Sequence, residues 1–281
     1  LSQVPDQWGA AVRRWAEMNE RFRRRGLPDR NAEYLLYQTL VGAHPIGLER
    51  LWQYLEKAVR EAKTNTSWTA INEGYETALR EFVERSLADP RFSAALEAFV
   101  APLIGPGRVN SLAWKLLTLT APGVPDLYQG TELWDLSLVD PDNRRPVDYD
   151  LRRRLLGELD GLAAEGAWTR PEEGLPKLLV VQRTLQLRRQ RPAAFGPSGS
   201  YRPLLAEGPK KRHAVAFARG EEVVTVVPRL VIGLAGDWAG TQLELPHGQW
   251  RDEFTGAVVE GGRQPLTKLL GRFPVGLLVR V

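Results

Sequence analysis

The amino-acid sequence predicts a mixed α+β fold, in which helices come first and short β-strands come last. Apolar residues recur at steps of three and four through residues 1–119, which is helical spacing. Beyond Pro192 the apolar residues fall in short runs between glycine and proline turns, which is typical of an antiparallel β-sandwich. Between these parts, Thr120–Tyr149 combines turn formers, aromatics and six carboxylates, so we expect an ordered functional loop there.

The composition bounds the kind of protein. The chain has 281 residues, 43% of them hydrophobic, which is enough for a substantial core. It has no cysteine, which excludes disulfides and thiolate metal sites. The three histidines, His44, His213 and His247, fall in different predicted elements, so neither a metal site nor a catalytic triad is predicted. No glycine-rich phosphate loop is present, and we expect no cofactor.

The charge pattern argues against nucleic acid and membrane partners. The chain has 38 Lys+Arg and 34 Asp+Glu, a net charge of +4, and its densest basic run is the short RFRRR at Arg21–Arg25. It shows neither a charged-then-apolar leader nor a run of eighteen apolar residues, so we expect a cytoplasmic protein. Because the sequence begins at Leu1, we expect a piece of a longer protein.

The helical part divides at its caps and breakers. Trp8, Trp15 and Phe22 lie on one predicted face of the first helix, and Asn31 is the predicted cap of the second. Gly105–Gly107, which reads Gly-Pro-Gly, predicts a loop. The expected helices are Pro5–Arg24, Ala32–Val41, Leu48–Lys63, Glu73–Ala88, Arg91–Pro102 and Asn110–Leu119.

The central stretch begins with a predicted strand. Pro122, Gly123 and Pro125 oppose a helix, while Val124–Tyr128 suits a short buried strand. A long ordered loop, Gln129–Asp148, should follow. Its tail places carboxylates and forked guanidinium donors between two prolines, which suits a hydroxyl-rich ligand.

The chain after the central stretch is predicted to form two helices followed by strands. Asp148 should cap a helix over Tyr149–Ala164, a linker follows at Pro171–Pro176, and Lys177–Gln190 is helical. We place the start of the β part near Phe195–Ser200. The predicted strands include Ala214–Ala218, Val223–Val227, Gln242–Leu245 and Leu277–Val281.

Two motifs in the central stretch carry a family resemblance. Pro125–Glu132 (PDLYQGTE) and Asp140–Pro146 (DPDNRRP) are similar to the end of the catalytic barrel in the α-amylase superfamily. The whole stretch of residues 122–149 resembles a trehalose-forming branch of that superfamily. The segments YLLYQTLVGAHP, KAVREAKTNTSW and NSLAWKLLTLTAPG resemble the same branch. The two motifs occur in the right order at short spacing, which makes the resemblance specific.

The resemblance implies an architecture in three parts. Residues 1–119 would be a helical insertion subdomain, and residues 120–195 would hold the last strand of a (β/α)8 barrel, at Val124–Tyr128, with the substrate loop and flanking helices. Residues 196–281 would be the C-terminal β-sandwich.

The resemblance also implies a reaction. The parent enzyme would be an intramolecular transglucosylase that converts the reducing-end α-1,4 linkage of a maltooligosaccharide, an α-1,4-glucan, to an α,α-1,1 linkage. In this superfamily the catalytic carboxylates end barrel strands four, five and seven, which all lie upstream. We therefore expect no catalytic residue in this chain and no activity from it alone.

The resemblance assigns a ligand contact to Asp140 and Arg144, which match the pair that grips a glucose in related enzymes. The alternative is that the charged residues of the loop pair with one another, and we favour that alternative for Asp142 and Arg145.

Further candidate contacts precede this pair. Tyr128 either stacks on a sugar ring or packs internally, Gln129 donates into the cleft, and Glu132 orders the loop by accepting backbone amides. Lys63 and Trp68 are candidates for the far end of a glucan groove, although surface lysine and core tryptophan are the simpler interpretations.

Two other classes of function stay open from the sequence. A carbohydrate-binding module would use exposed aromatics of the β part, with Trp238 and Trp250 as candidates, although tryptophans of hairpins more often face a core. A structural or assembly role would use an uncovered apolar surface for self-association.

Overall fold

The computed structural model describes all 281 residues. The helices are α1 (Pro5–Asn19), α2 (Arg30–Gly42), α3 (Leu48–Ala62), α4 (Glu73–Ala88), α5 (Pro90–Thr120), α6 (Tyr149–Glu158), α7 (Ala164–Trp168), α8 (Leu175–Gln190), α9 (Pro192–Phe195), α10 (Val231–Leu234) and α11 (Leu266–Leu270). The strands are β1 (Tyr201–Leu204), β2 (Ala206–Glu207), β3 (Ala214–Arg219), β4 (Val223–Pro228), β5 (Gln242–Asp252), β6 (Val258–Pro265) and β7 (Gly276–Arg280). No helix is long and apolar enough to cross a membrane.

The chain divides into two compact units. The first, which we call the helical unit, comprises residues 1–104 and 136–146. The second, the sheet unit, comprises residues 105–135 and 147–281. The central stretch therefore contributes to both units.

An aromatic cluster forms the core of the helical unit. Trp15 is 1% exposed, and its ring lies 5.5 Å from Tyr37, 5.9 Å from Phe92 and 5.4 Å from Phe99, each edge to face. Trp8 makes a similar contact with Trp15 at 5.8 Å. The predicted apolar stripe of α1 is thus confirmed as the buried face. Edge-to-face aromatic pairs stabilise a core beyond the contribution of the area that they bury.

One predicted cap is wrong and another is confirmed. Helix α2 is capped by Asp29, whose carboxylate accepts from the backbone N–H groups of Asn31 and Ala32 at 3.1 Å each. Asn31, the predicted cap, is already inside the helix. In the sheet unit, Asp148 caps α6 as predicted and accepts from the N–H of Leu151 at 2.8 Å.

The predicted loop at Gly105–Gly107 is wrong, because α5 continues without a break from Pro90 to Thr120. Burial explains how the helix tolerates these residues. Leu96 belongs to the core of the helical unit and Leu116 to a core of the sheet unit. Apolar contacts on both sides of the glycine-proline segment outweigh its low helix propensity.

The strands of the sheet unit form one curled antiparallel sheet, where the sequence predicted a two-sheet sandwich. The order is β1-β3-β4-β7-β5-β2, with β6 paired to β5. Strands β1 and β2 stand at opposite ends of this order, yet only Leu205 separates them in the chain. The strands form a single sheet because β5 has 11 residues and an irregularity between Leu245 and Gln249. A bent strand of that length pairs with β2, β6 and β7 and keeps the sheet continuous.

Strand β4 lies at the centre of the sheet unit and is buried along its whole length. Val224 and Val226 join Trp250 in a core under one face of the sheet. Val223 and Val227 face the opposite way and pack in a core to which α5, α6 and α8 also contribute. The continuous apolar run of this strand is explained by burial on both faces.

Residues 124–128 form no strand in this structure. A strand requires a neighbour for its ladder of hydrogen bonds, and every ladder of the sheet joins strands of residues 201–280. Val124 is 99% exposed, so the predicted burial is also absent. The barrel strand at this place is not confirmed and stays a prediction.

Candidate functional site

The candidate site residues fall in two groups, one in each unit. The first group lies in residues 136–146 of the helical unit, which we call the tethered loop. The second lies at Tyr128–Glu132 of the sheet unit.

The tethered loop is fastened to α3 by Arg50. Its Nε donates to Oδ1 of Asp142 at 2.7 Å and its Nη2 donates to Oδ2 at 2.9 Å, a two-pronged ion pair. The same Nη2 also donates to the backbone oxygen of Leu136. Because the guanidinium plane matches the carboxylate, this contact fixes the orientation as well as the position of the loop.

The carboxylate of Asp142 organises the loop from within. It accepts from the N–H of Leu138 at 2.6 Å, and Arg145 Nε lies 3.1 Å from its Oδ1. Hydrogen bonding to Arg50, followed by the Leu138 N–H and the charge of Arg145, holds the pKa of Asp142 below its ordinary value. Asp142 is therefore a structural anion at neutral pH.

Asp140 and Arg144 lie on the outer side of the same loop. Arg144 Nε and Oδ1 of Asp140 form an ion pair, and the two side chains are 70% and 47% exposed, respectively. Lys57 of α3 donates through Nζ to the backbone oxygen of Asp140, so the main chain at this residue is held while its side chain stays half-exposed. An exposed carboxylate beside an exposed guanidinium can accept from and donate to sugar hydroxyls.

In the sheet unit, Arg152 of α6 orders the turn around Glu132. Its Nε donates to the Glu132 carboxylate at 3.1 Å, its Nη2 to the Gly130 oxygen at 2.8 Å and its Nη1 to the Asp148 oxygen at 3.0 Å. The sequence predicts that Glu132 orders the loop by accepting from backbone amides. In the structure its carboxylate accepts from the Arg152 guanidinium instead. Gly130 has φ +92°, a conformation that favours glycine.

Tyr128 and Gln129 lie at the surface of the sheet unit. The Tyr128 side chain is 44% exposed, and its backbone oxygen accepts from the N–H of Thr131 at 3.1 Å. Oε1 of Gln129 accepts a long hydrogen bond, 3.4 Å, from the Tyr149 hydroxyl. Neither side chain is packed into a core, so both are accessible to a ligand.

The sequence reasoning missed Arg50, Lys57 and Arg152, which hold the candidate residues in place. Each is a charged residue on an amphipathic helix, where the ordinary interpretation is a solvated face. The Arg50–Asp142 contact joins residues 92 positions apart, and no local spacing signals it.

The structure decides between the open interpretations of three tryptophans. Trp238 and Trp250 are 5% and 0% exposed, and the Trp250 indole donates to the Pro246 oxygen at 2.8 Å. They offer no stacking surface to a sugar, which removes the argument for a carbohydrate-binding module. Trp68, interpreted as a core residue, is 53% exposed and lies under the guanidinium of Arg60 at 4.9 Å.

Comparisons with known proteins find several that are named maltooligosyl trehalose synthase. A maltooligosyl trehalose synthase of Mycobacterium tuberculosis (strain ATCC 25618 / H37Rv) is 39% identical over 288 residues, an alignment that covers 100% of this chain and 35% of the relative. The solved structure of maltooligosyltrehalose synthase from Arthrobacter ramosus matches with a TM-score of 0.87 at 39% identity, over 100% of this chain and 36% of that one. A Sulfolobus tokodaii structure described as a hypothetical maltooligosyl trehalose synthase matches at 0.77 and 29% identity, over 99% of this chain and 35% of that one. No family model matches. The chain thus spans about 35% of the length of the curated relatives it matches.

Proposed function

We propose that this chain, which corresponds to the C-terminal portion of maltooligosyl trehalose synthase, builds part of the glucan site of an enzyme that forms trehalose ends on maltooligosaccharides. The observation that carries the proposal is similarity along the whole chain, in sequence at 39% identity and in structure at a TM-score of 0.87. The trehalose-forming reaction places the parent protein in carbohydrate metabolism.

The reaction is an intramolecular transglucosylation, an isomerisation of the glucan. The enzyme cleaves the reducing-end α-1,4 bond with a carboxylate nucleophile and keeps the released glucose bound. The glucose then turns and attacks the glycosyl enzyme through its anomeric hydroxyl, which forms the α,α-1,1 bond. Retention requires two carboxyl groups about 5 to 5.5 Å apart. The bound glucose must react before water does, so positioning and exclusion of water decide the outcome.

The carboxylates of this chain serve binding and structure in that scheme, and the catalytic carboxylates belong to the upstream part of the parent protein. A general acid needs a raised pKa, whereas that of Asp142 is lowered by its ion pair with Arg50. Glu132 is likewise engaged with Arg152. Both observations support a chain that is inactive alone.

Asp140 and Arg144 are the proposed contacts to a glucose unit. Their exposure leaves oxygens and N–H groups accessible, and Lys57 and Arg50 hold the loop that presents them. In this scheme Asp142 and Arg145 stiffen the loop, and Tyr128 and Gln129 contact sugar from the sheet unit. The barrel strand at Val124–Tyr128, the three-part division of the chain and a cytoplasmic location are part of the same proposal.

The test is conversion of maltopentaose, followed by the loss of reducing ends. We expect no conversion by the 281-residue chain and conversion by the protein extended upstream to the length of its relatives. In the extended protein, Asp140→Ala should reduce kcat/KM by about a hundredfold, because it removes hydrogen bonds to a charged acceptor. Gln7→Ala, an exposed change on α1, is the matched control and should leave the rate unchanged. Conversion by the chain alone would overturn the absence of catalytic residues.

A further inference from the structure

A cavity of about 350 Å³ lies within the helical unit, between α3 and the tethered loop. Residues of α3 form one wall and residues 139–142 with Arg145 form the other. Its volume falls within the roughly 300–1,000 Å³ range of small-molecule sites. The cavity adjoins Asp140, whose side chain is half-exposed.

The charges around this cavity balance. Three acidic residues and three basic residues line it, namely Glu49, Asp140, Asp142, Arg50, Lys57 and Arg145. Much of this charge is already paired in the walls, since Arg50 and Arg145 contact Asp142. A phosphate would need an excess of free cations and a metal ion an excess of free carboxylates. The lining fits an uncharged ligand with many hydroxyl groups.

Three side chains of the α3 wall are left for such a ligand. The carboxylate of Glu49, the amide of Gln53 and the hydroxyl of Tyr54 make no side-chain hydrogen bond within the chain. Glu49 and Gln53 are exposed and stand one helical turn apart, while the Tyr54 ring is half-buried. Together they supply acceptors, a donor pair and an aromatic surface, the combination by which proteins hold a sugar ring.

We propose that this cavity is a binding subsite for one glucose unit of an α-1,4-glucan, with Gln53, Glu49 and Tyr54 as its ligand contacts. Arg50 is a positioning residue that acts through Asp142 and sets the distance between the two walls. The inference rests on the proposed function and deepens it, because it assigns part of substrate recognition to helix α3, outside the loop motif that carries the family resemblance.

The test uses the full-length protein that carries this chain. Gln53→Ala should raise KM for maltopentaose about tenfold through lost hydrogen bonds, with kcat changed less than threefold, and Tyr54→Phe should raise KM about threefold. Arg50→Lys keeps the charge but loses the paired geometry and should raise KM as well. Gln7→Ala is the control, and an unchanged melting temperature shows that each variant is folded.

The outcomes separate this inference from the proposed function. If the wild-type protein converts maltopentaose and the Gln53 and Tyr54 variants match it within twofold, the cavity does not bind substrate and the inference is overturned. If the wild-type protein converts nothing, the proposed function fails, and titration with maltotriose decides the cavity independently. A weaker Kd in Gln53→Ala supports the subsite, and an equal Kd overturns it.

Discussion

The two units of this chain treat buried charge in opposite ways. In the helical unit, the carboxylates of Glu76 and Asp142 are largely buried but each is paired with an arginine, Arg60 and Arg50, through two hydrogen bonds. These pairings hold the pKa of each carboxyl below its ordinary value. The charged form is thus the favoured form there.

In the sheet unit the buried charges have no counter-ion in contact. Asp252 is 4% exposed and is surrounded by N–H and O–H donors, and burial raises its pKa to about 6. Lys177 is 6% exposed, and burial together with the neighbouring Lys115 lowers its pKa to about 8. One chain can therefore accommodate buried charged groups by ion pairs in one region and by hydrogen bonds or a shifted pKa in another.

The largest expected effect is that of Asp252→Ala. The carboxyl oxygens accept from the N–H groups of Phe254 at 3.0 Å, Thr255 at 2.7 Å and Leu277 at 3.1 Å, and from the Thr255 hydroxyl at 2.9 Å. The alanine variant leaves these donors unpaired, so we expect the free energy of unfolding to fall by about 3 kcal/mol at about pH 5. Denaturant unfolding measures this loss.

The pH dependence at Asp252 gives the control. Its pKa in the folded state, about 6, lies above the ordinary 3.8, so the stability that it contributes is complete below about pH 4 and declines as the pH rises through 6. Asp252→Asn keeps the shape and should lose this decline. A variant that retains the same decline would show that another group titrates.

The second effect should be a gain. Lys177→Met removes a buried cation without an ion pair, so we expect the free energy of unfolding to rise by about 2 kcal/mol at neutral pH. Because the pKa of Lys177 is lowered to about 8, the wild-type protein recovers stability as the pH rises above 8, and the gain should shrink there. Thermal unfolding at neutral pH and above pH 8 measures this gain.

Lys211→Met is the matched control, since Lys211 is an exposed lysine of the same unit. It should change stability by less than about 0.5 kcal/mol. Equal effects from Lys177→Met and Lys211→Met would contradict the idea that burial of the Lys177 charge is costly.

The smallest effect distinguishes buried pairs from exposed pairs in the helical unit. A double-mutant cycle of Arg60→Met and Glu76→Gln should give a coupling energy of about 1.5 kcal/mol, because the two side chains are only 14% and 10% exposed. Because the pKa of Glu76 is lowered, this coupling should be present at neutral pH and be lost as the pH falls through that lowered pKa.

The exposed pair Arg80–Glu84 on α4 provides the comparison cycle, with side chains 47% and 43% exposed. Its coupling should be about 0.3 to 0.5 kcal/mol. Equal coupling energies from the two cycles would show that burial does not strengthen the Arg60–Glu76 pair.

Much of the fold was predictable because it depends on local chemistry. The bounds of α4, Glu73–Ala88, match the predicted helix, and the capping of α6 by Asp148 follows from residue type alone. The strands β3 and β4 begin at the predicted Ala214 and Val223. In each case the signal lies within a few residues of the element it specifies.

The candidate site was predictable only in part. Asp140 and Arg144 stand in a motif with short, readable spacing, which is why the resemblance found them. Arg50 and Lys57, which hold that motif in place, are ordinary charged residues until the chain folds and brings α3 to the loop.

The sequence by itself determined the approximate positions of most of the longer helices, where the β part begins and which loop carries the polar side chains, because periodicity, caps and turn formers act over a few residues. Only the tertiary structure decided that α5 runs through Gly105–Gly107, that the strands form one curled sheet and that Arg50 fastens Asp142. Those outcomes depend on burial and pairing between residues far apart in the chain, and no local pattern encodes them.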